Sequence, residues 1–150
     1  MTKIRFIYKG SNKCSDAYEK LVEKIILLVK ELYQLPHEIE IQLENMGPNI
    51  YGMTMLDSRF PNRIRLNQDL SMEEIVIPLT HELIHLHQIF INKLQSRTGG
   101  RILWENELYK IDTLKLSYEE YQNLPWELDA KIQQEKVLKF LQSNRKNLRS

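Results

Sequence analysis

Three of the four histidines of this 150-residue chain fall within seven residues, and two of them stand in His81-Glu82-Leu83-Ile84-His85. On an α-helix, residues four apart are separated by about 40° of rotation, so both imidazoles leave one face a turn apart. Two ring nitrogens so placed can reach one Zn²⁺ at ~2.0–2.1 Å. Glu82 lies at the edge of that face, where its carboxylate can reach a metal-activated water as a general base. Composition alone would produce this spacing about 0.01 times per chain. The neighbouring residues are strongly apolar, and burying two histidines and a glutamate among them costs free energy unless they are paired or hold a metal. A metal-free polar cluster, hydrogen-bonded to carboxylates, is the competing reading. His87 lies about 240° round the helix from His81, which makes it a surface or packing histidine.

A third donor must come from another part of the chain. No histidine follows His87, His37 lies far upstream, and Cys14 precedes the first predicted helix. Downstream carboxylates remain: Glu105, Glu107, Asp112, Glu119, Glu120, Glu127, Asp129 and Glu135. The last predicted helix has an inner stripe of Ala130, Gln134, Val137, Leu138 and Leu141. Glu127 falls on that stripe one turn before Ala130, whereas Asp129 and Glu135 project elsewhere. A carboxylate aimed at the core from a first helical turn calls for a cation partner. The other role open to it is to favour the helix dipole, worth ~0.3–1 kcal/mol.

These residues need elements to position them. Residues 3–8 alternate loosely and predict a strand. Ser15 or Asp16 caps a helix to about Gln34, with Leu21, Val22, Ile25, Leu28, Val29 and Leu32 on its apolar face and Pro36 beyond its end. Residues 38–43 alternate strictly, as a half-buried strand does. After the turn Gly47-Pro48-Asn49, Ile50–Leu56 predicts a strand, and Ile64–Leu66 a short one after the turn at 60–63. The HExxH helix starts near Ser71, whose spacing to Glu74 matches a capping box. It is apolar almost all round, which predicts a buried central helix, and Pro78 should kink or restart it. Residues 93–112, with Thr98-Gly99-Gly100, predict a hairpin or extended insertion. Asn123 or Leu124 caps the last helix, with Pro125 in its first turn, and residues 143–150 form a polar tail. The order describes a single α+β domain with a small mixed sheet.

Composition narrows the classes. Apolar residues make up 42% and charged residues 27%, an ordinary globular balance. A net charge of +1 leaves no broad footprint for nucleic acid or anionic lipid. Four basic residues near the C-terminus, Lys139, Arg145, Lys146 and Arg149, have no aromatic platform among them and read as a solvated end. One cysteine excludes an internal disulfide. No run approaches the ~18 apolar residues of a membrane span, and the N-terminus lacks a signal-peptide core, so a cytoplasmic location is expected.

HELIH followed by Leu124-Pro125-Trp126-Glu127-Leu128-Asp129-Ala130 resembles the gluzincin branch of zinc metallopeptidases, in particular its small, minimal bacterial or phage members. There a Glu in an ExxA-like context on a later helix supplies the third ligand. The stretch from Gly52 through Arg63–Leu66 to the HELIH helix resembles the strand-strand-helix layout of zincins, and the likeness covers residues 50–138. It implies a zincin-like fold, with a small mixed sheet packed on a buried HExxH helix and a C-terminal helix. It implies one Zn²⁺ held by His81, His85 and Glu127, with Glu82 as general base in hydrolysis of a peptide or protein substrate. His85 and Glu127 are 42 positions apart, more than in the most compact gluzincins, so residues 93–122 should fold out of the way. Tyr109, Tyr118 and Tyr121 are candidates for the oxyanion donor, each with a competing packing or surface role. The edge strand around Tyr51-Gly52-Met53 is the expected place for substrate backbone to pair. A zinc-binding accessory or interaction module of zincin shape, with little turnover, is the alternative function.

Overall fold

Lys3–Lys9 forms β1 and the strictly alternating Glu38–Glu44 forms β2, in a computed structural model that describes residues 2–10, 12–54, 56, 59–112 and 115–145. Between them α1 spans Asp16–Leu32, and the Ser15 hydroxyl accepts from the Tyr18 N–H as N-cap. It stops two residues short of Gln34 because Tyr33 turns to extended backbone, and Leu32, expected inside, is 44% exposed. Gly52–Thr54 (β3) and Arg63–Asn67 (β4) complete a mixed sheet of order β1-β2-β4-β3. β1, β2 and β4 run parallel, and β3 lies antiparallel on the outside of β4. The strand predicted over Ile50–Leu56 is therefore shorter. Asn67 explains its start: its side-chain amide donates to the carbonyls of Gly47 (2.7 Å) and Ile50 (2.9 Å), curling that segment into a loop. Met55 lies outside the described residues.

Register divides the sheet into two faces. Ile4, Phe6 and Tyr8 pair with Ile39, Ile41 and Leu43, and the last two pair with Ile64 and Leu66, so one face is apolar. The alternate positions carry a charge ladder in which Glu40 meets Arg63 at 2.8 Å and Arg5 at 3.9 Å, and Glu44 meets Arg65. Val22, Ile25, Ile26 and Val29 of α1 cover the apolar face together with the next helix.

That helix, α2, spans Val76–Phe90. The capping box at Ser71 and Glu74 forms, with both bonds at 3.0–3.1 Å, but it closes a separate turn, and the helix proper starts five residues after Ser71. Pro78 is its third residue. In a first turn the N–H groups have no intrahelical acceptor, so proline costs nothing there and the restart replaces a kink. From Leu79 to Leu86 the helix is buried except at His81, which is partly exposed, as an apolar circumference requires. It ends in a Schellman turn: Asn92 takes a left-handed φ of 62°, Asn92 N–H donates to Ile89 O, and Lys93 N–H donates to Gln88 O.

The chain then builds a second sheet, β5 (Leu94–Arg97), β6 (Arg101–Trp104) and β7 (Glu107–Lys110), an antiparallel meander where a hairpin or extended insertion was expected. Glu105 and Asn106 both take positive φ (48° and 70°), the two-residue turn that matches strand twist. Tyr118–Gln122 adds a short α3, capped by a Ser117–Glu120 box. Pro125–Ser143 forms α4, with Leu124 as N-cap and proline in the first turn.

The stretch 93–122 does not fold out of the way. Leu94 and Trp104 pack with Leu124 and Trp126 in a second apolar cluster, joined by Ile89, Tyr109 and Leu116. Trp126 meets the rings of Trp104 (6.5 Å) and Tyr109 (5.5 Å), so the meander pins the start of α4. The arrangement is α+β, with two small sheets and four helices among the described residues. Among those residues no helix is long and apolar enough to cross a membrane. The basic tail expected to be a solvated end lies outside the described residues from Lys146 onward.

Candidate metal centre

α2 and α4 pack side by side and bring His81, His85 and Glu127 together, with one donor atom of each within 4.8 Å of the others. Local geometry supplies the pair: one turn apart on α2, the two rings meet edge to face with centroids 4.7 Å apart. Their Nε2 atoms lie 3.1 Å apart. Glu127, in the first turn of α4, places one carboxylate oxygen 3.3 Å from His81 Nε2 and the other 2.6 Å from His85 Nε2.

These separations test whether the group fits a metal. Two donors ~2.0–2.1 Å from a tetrahedral zinc stand roughly 3.3 Å apart. The two Nε2 atoms, 3.1 Å apart, are close to one such edge, and each faces its own oxygen of the Glu127 carboxylate, at 3.3 and 2.6 Å. Two nitrogens and a carboxylate oxygen are also a zinc-type donor set, and three protein donors leave a fourth position for water or substrate. The residues fit.

The electrostatics of the cluster favour positive charge between the three side chains. Burial alone would lower His85, but hydrogen bonding to Glu127 and the charges of Glu127 and Glu82 push it up to about 9. His81 is raised in the same way against its own burial, chiefly by its bond to Glu127. Burial alone would raise the Glu127 carboxyl, and the two histidines instead hold it well below the usual carboxylate range. A cation placed there meets a carboxylate already committed to the charged form.

The other ring nitrogens have partners. His81 Nδ1 lies 2.9 Å from Gln134 Oε1, and His85 Nδ1 lies 2.8 Å from Gln88 Oε1. Histidine ligands characteristically hand their second N–H to such an acceptor. Gln134 stands on the inner stripe of α4 as expected. Gln88 and Asp129 were not anticipated: the Asp129 carboxylate accepts from Gln88 Nε2 at 2.8 Å.

Glu82 is buried beside the triad and opens into the same cavity of about 770 Å³. The Thr54 hydroxyl on β3 lies 2.7 Å from Glu82 Oε1 and 3.0 Å from the Glu82 carbonyl. Two residues earlier, Gly52 leaves room for it, since a Cβ there would sit 3.0 Å from Glu82 Cγ and 3.1 Å from Leu66 Cδ2. The hint in the sequence was a glycine inside a predicted strand, which signals close approach of another group.

The remaining candidates separate cleanly. Tyr51, Gly52 and Met53 line the cavity, as do Tyr118 and Tyr121. Tyr121 is pushed up to about 12 by burial and by the charges of Glu127 and Glu82, so its phenol stays protonated near both carboxylates. Tyr109 instead donates to Glu107 and packs on Trp126. His87 packs on Tyr33 and lies 2.8 Å from the Gln34 carbonyl, a packing histidine as its helix face implied. Cys14 pairs with the Tyr8 hydroxyl at 3.0 Å. Among the other carboxylates, Glu105 meets Lys93 (3.3 Å), Asp112 meets Lys115 (3.9 Å), and Glu119 and Glu120 stand in the first turn of α3. No protein-family model matches the chain, and neither a curated protein nor a solved structure matches it.

Proposed function

We propose that this chain is a zinc-dependent peptidase of gluzincin-like, zincin-shaped construction. The observation that carries the reading is the convergence of His81, His85 and Glu127 from two helices, with a buried Glu82 held beside them in one cavity. When bound, zinc supplies Lewis acidity, acidifying a water and polarising a carbonyl. His81, His85 and Glu127 would hold the ion, and the rest is the work of this chain's own side chains.

Glu82 would accept the water proton on its carboxylate and pass it to the leaving amine, acting as base and then as acid. Thr54 orients that carboxylate through Oε1. Tyr121 keeps its hydroxyl hydrogen and can donate to a developing oxyanion. β3 is an outer strand bordering the cavity, so an extended peptide can pair with its backbone while its side chains meet Ile50, Met53 and Ile77.

Metal analysis of protein purified without a His tag or added metal tests the first half of the reading, with about one zinc per chain expected. Digestion of a peptide library tests the second. Glu82→Gln should keep its zinc and lose at least ~100-fold in turnover, because only the proton carrier is removed. Glu127→Ala and His81→Ala should lose zinc affinity. A chain without zinc sinks the metal centre, and a zinc-loaded chain that cleaves nothing sinks the peptidase.

A further inference from the structure

Gln88 is an unusual residue to find where it is. It is fully buried (0% exposed) on a helix surrounded by aliphatic side chains, and a buried amide is costly unless both of its ends are paired. Here both ends are paired, and the pairing has a direction. Gln88 Nε2 lies 2.8 Å from Asp129 Oδ2 and 3.1 Å from the Trp126 carbonyl. A carboxylate and a carbonyl are acceptors only, so the NH₂ end must face them and Oε1 must face His85 Nδ1 at 2.8 Å. An amide oxygen only accepts. His85 Nδ1 therefore carries the hydrogen, and in the neutral ring the lone pair falls on Nε2, the atom facing His81 and Glu127.

We infer that Gln88 is a positioning residue that sets His85 in the metal-binding tautomer, and that Asp129 and the Trp126 carbonyl set Gln88. The inference rests on the metal-centre reading above. It gives α4 two tasks: Glu127 would hold the ion, while Asp129, two residues on and turned away, would act on it through Gln88 and His85. Asp129 is itself steadied, since Gln133 Nε2 lies 3.4 Å from its Oδ1 and the Tyr33 hydroxyl donates to Gln133 Oε1 at 2.7 Å. The chain of bonds thus runs from the end of α1 to the metal-facing ring.

The test is zinc affinity by competition with a chromophoric chelator, together with the visible spectrum of the cobalt(II)-loaded protein. Gln88→Glu keeps an acceptor for His85 but sets a carboxylate against Asp129 and the Trp126 carbonyl, and should weaken zinc about 10–100-fold and alter the cobalt bands. Adding Asp129→Asn restores a donor facing the new carboxylate, so the double variant should recover most of the affinity and the wild-type cobalt bands. Asp129→Asn alone can still present an oxygen to Gln88 and should change little. A packing role predicts no rescue. Gln88→Glu binding as tightly as wild type, or a double variant no better than the single one, would overturn the inference. A wild-type chain that takes up neither zinc nor cobalt overturns the metal-centre reading itself and removes the inference with it.

Discussion

Thr54 holds Glu82 through one hydroxyl, so the proposed base can be perturbed apart from the proposed metal ligands. Thr54→Val keeps the shape of the side chain and removes the bond to Oε1. We expect unchanged zinc content and turnover lowered about ten-fold, a fraction of what a general base contributes, measured by metal analysis beside peptide hydrolysis. Gly52→Ala approaches the same carboxylate from the other side. Its methyl group would press on Glu82 Cγ at 3.0 Å and on Leu66 at 3.1 Å, so the base must shift while the triad stays in place. Turnover should again fall with zinc retained, and full activity in the Gly52→Ala chain would show that Glu82 needs no such room. The sequence offered Gly52 as a sign of close approach but named the partner of neither contact. The i, i+4 histidines are positioned by the turn of a single helix, whereas Thr54 and Glu82 are 28 residues apart and meet only through sheet and helix packing.

Among the elements, the meander β5-β6-β7 was the least legible in the sequence and supports the site most directly. It buries Trp104 against Trp126, the residue before Glu127, so it fixes where α4 begins. Trp104→Ala, with no metal ligand touched, should cost about 3–5 kcal/mol of stability and should also weaken zinc by loosening Glu127. Denaturant titration and chelator competition on one sample would show both effects, and a destabilised chain with unchanged zinc affinity would separate the meander from the site. Pro78 makes the opposite case. In the interior of a helix proline costs about 3 kcal/mol, but in the first turn of α2 it displaces no bond, so Pro78→Ala should shift stability by less than about 1 kcal/mol. The capping box at Ser71 was readable and forms, yet it starts a turn and not the helix. Capping signals mark where a donor is satisfied, and tertiary packing decides how far the helix then runs.

Over the molecule as a whole, metal binding and the burial of single titratable side chains both act on stability. A ligand bound only to the folded chain adds free energy by mass action, so zinc at 100 times its Kd should contribute about 2.7 kcal/mol. For a chain of this length the Tm should then rise by about 5–10 °C and return when a chelator is added. Tyr18 is one contributor on the alkaline side. Burial, with the nearby Cys14, pushes its phenol from 10 to about 12, and its hydroxyl has no hydrogen-bond partner among the described residues. The folded chain therefore keeps a proton that the unfolded chain releases near pH 10. Its contribution is complete below pH 10 and is lost as pH rises through 12, about 2–3 kcal/mol in all. Tyr18→Phe should flatten the stability profile between pH 10 and 12, followed by denaturant titration at each pH, and an unchanged slope would exclude this tyrosine. Short-range periodicity was enough to reach the alternating strands, the buried helix, the paired histidines and the stripe that carries Glu127. These need only the geometry of one element. The strand order β1-β2-β4-β3, the use of residues 93–122 as a brace, and the joining of Gln88 to Asp129, 41 positions away, emerge only in three dimensions. Those depend on how helices cross and strands register, and packing energy, shared among many residues, sets both.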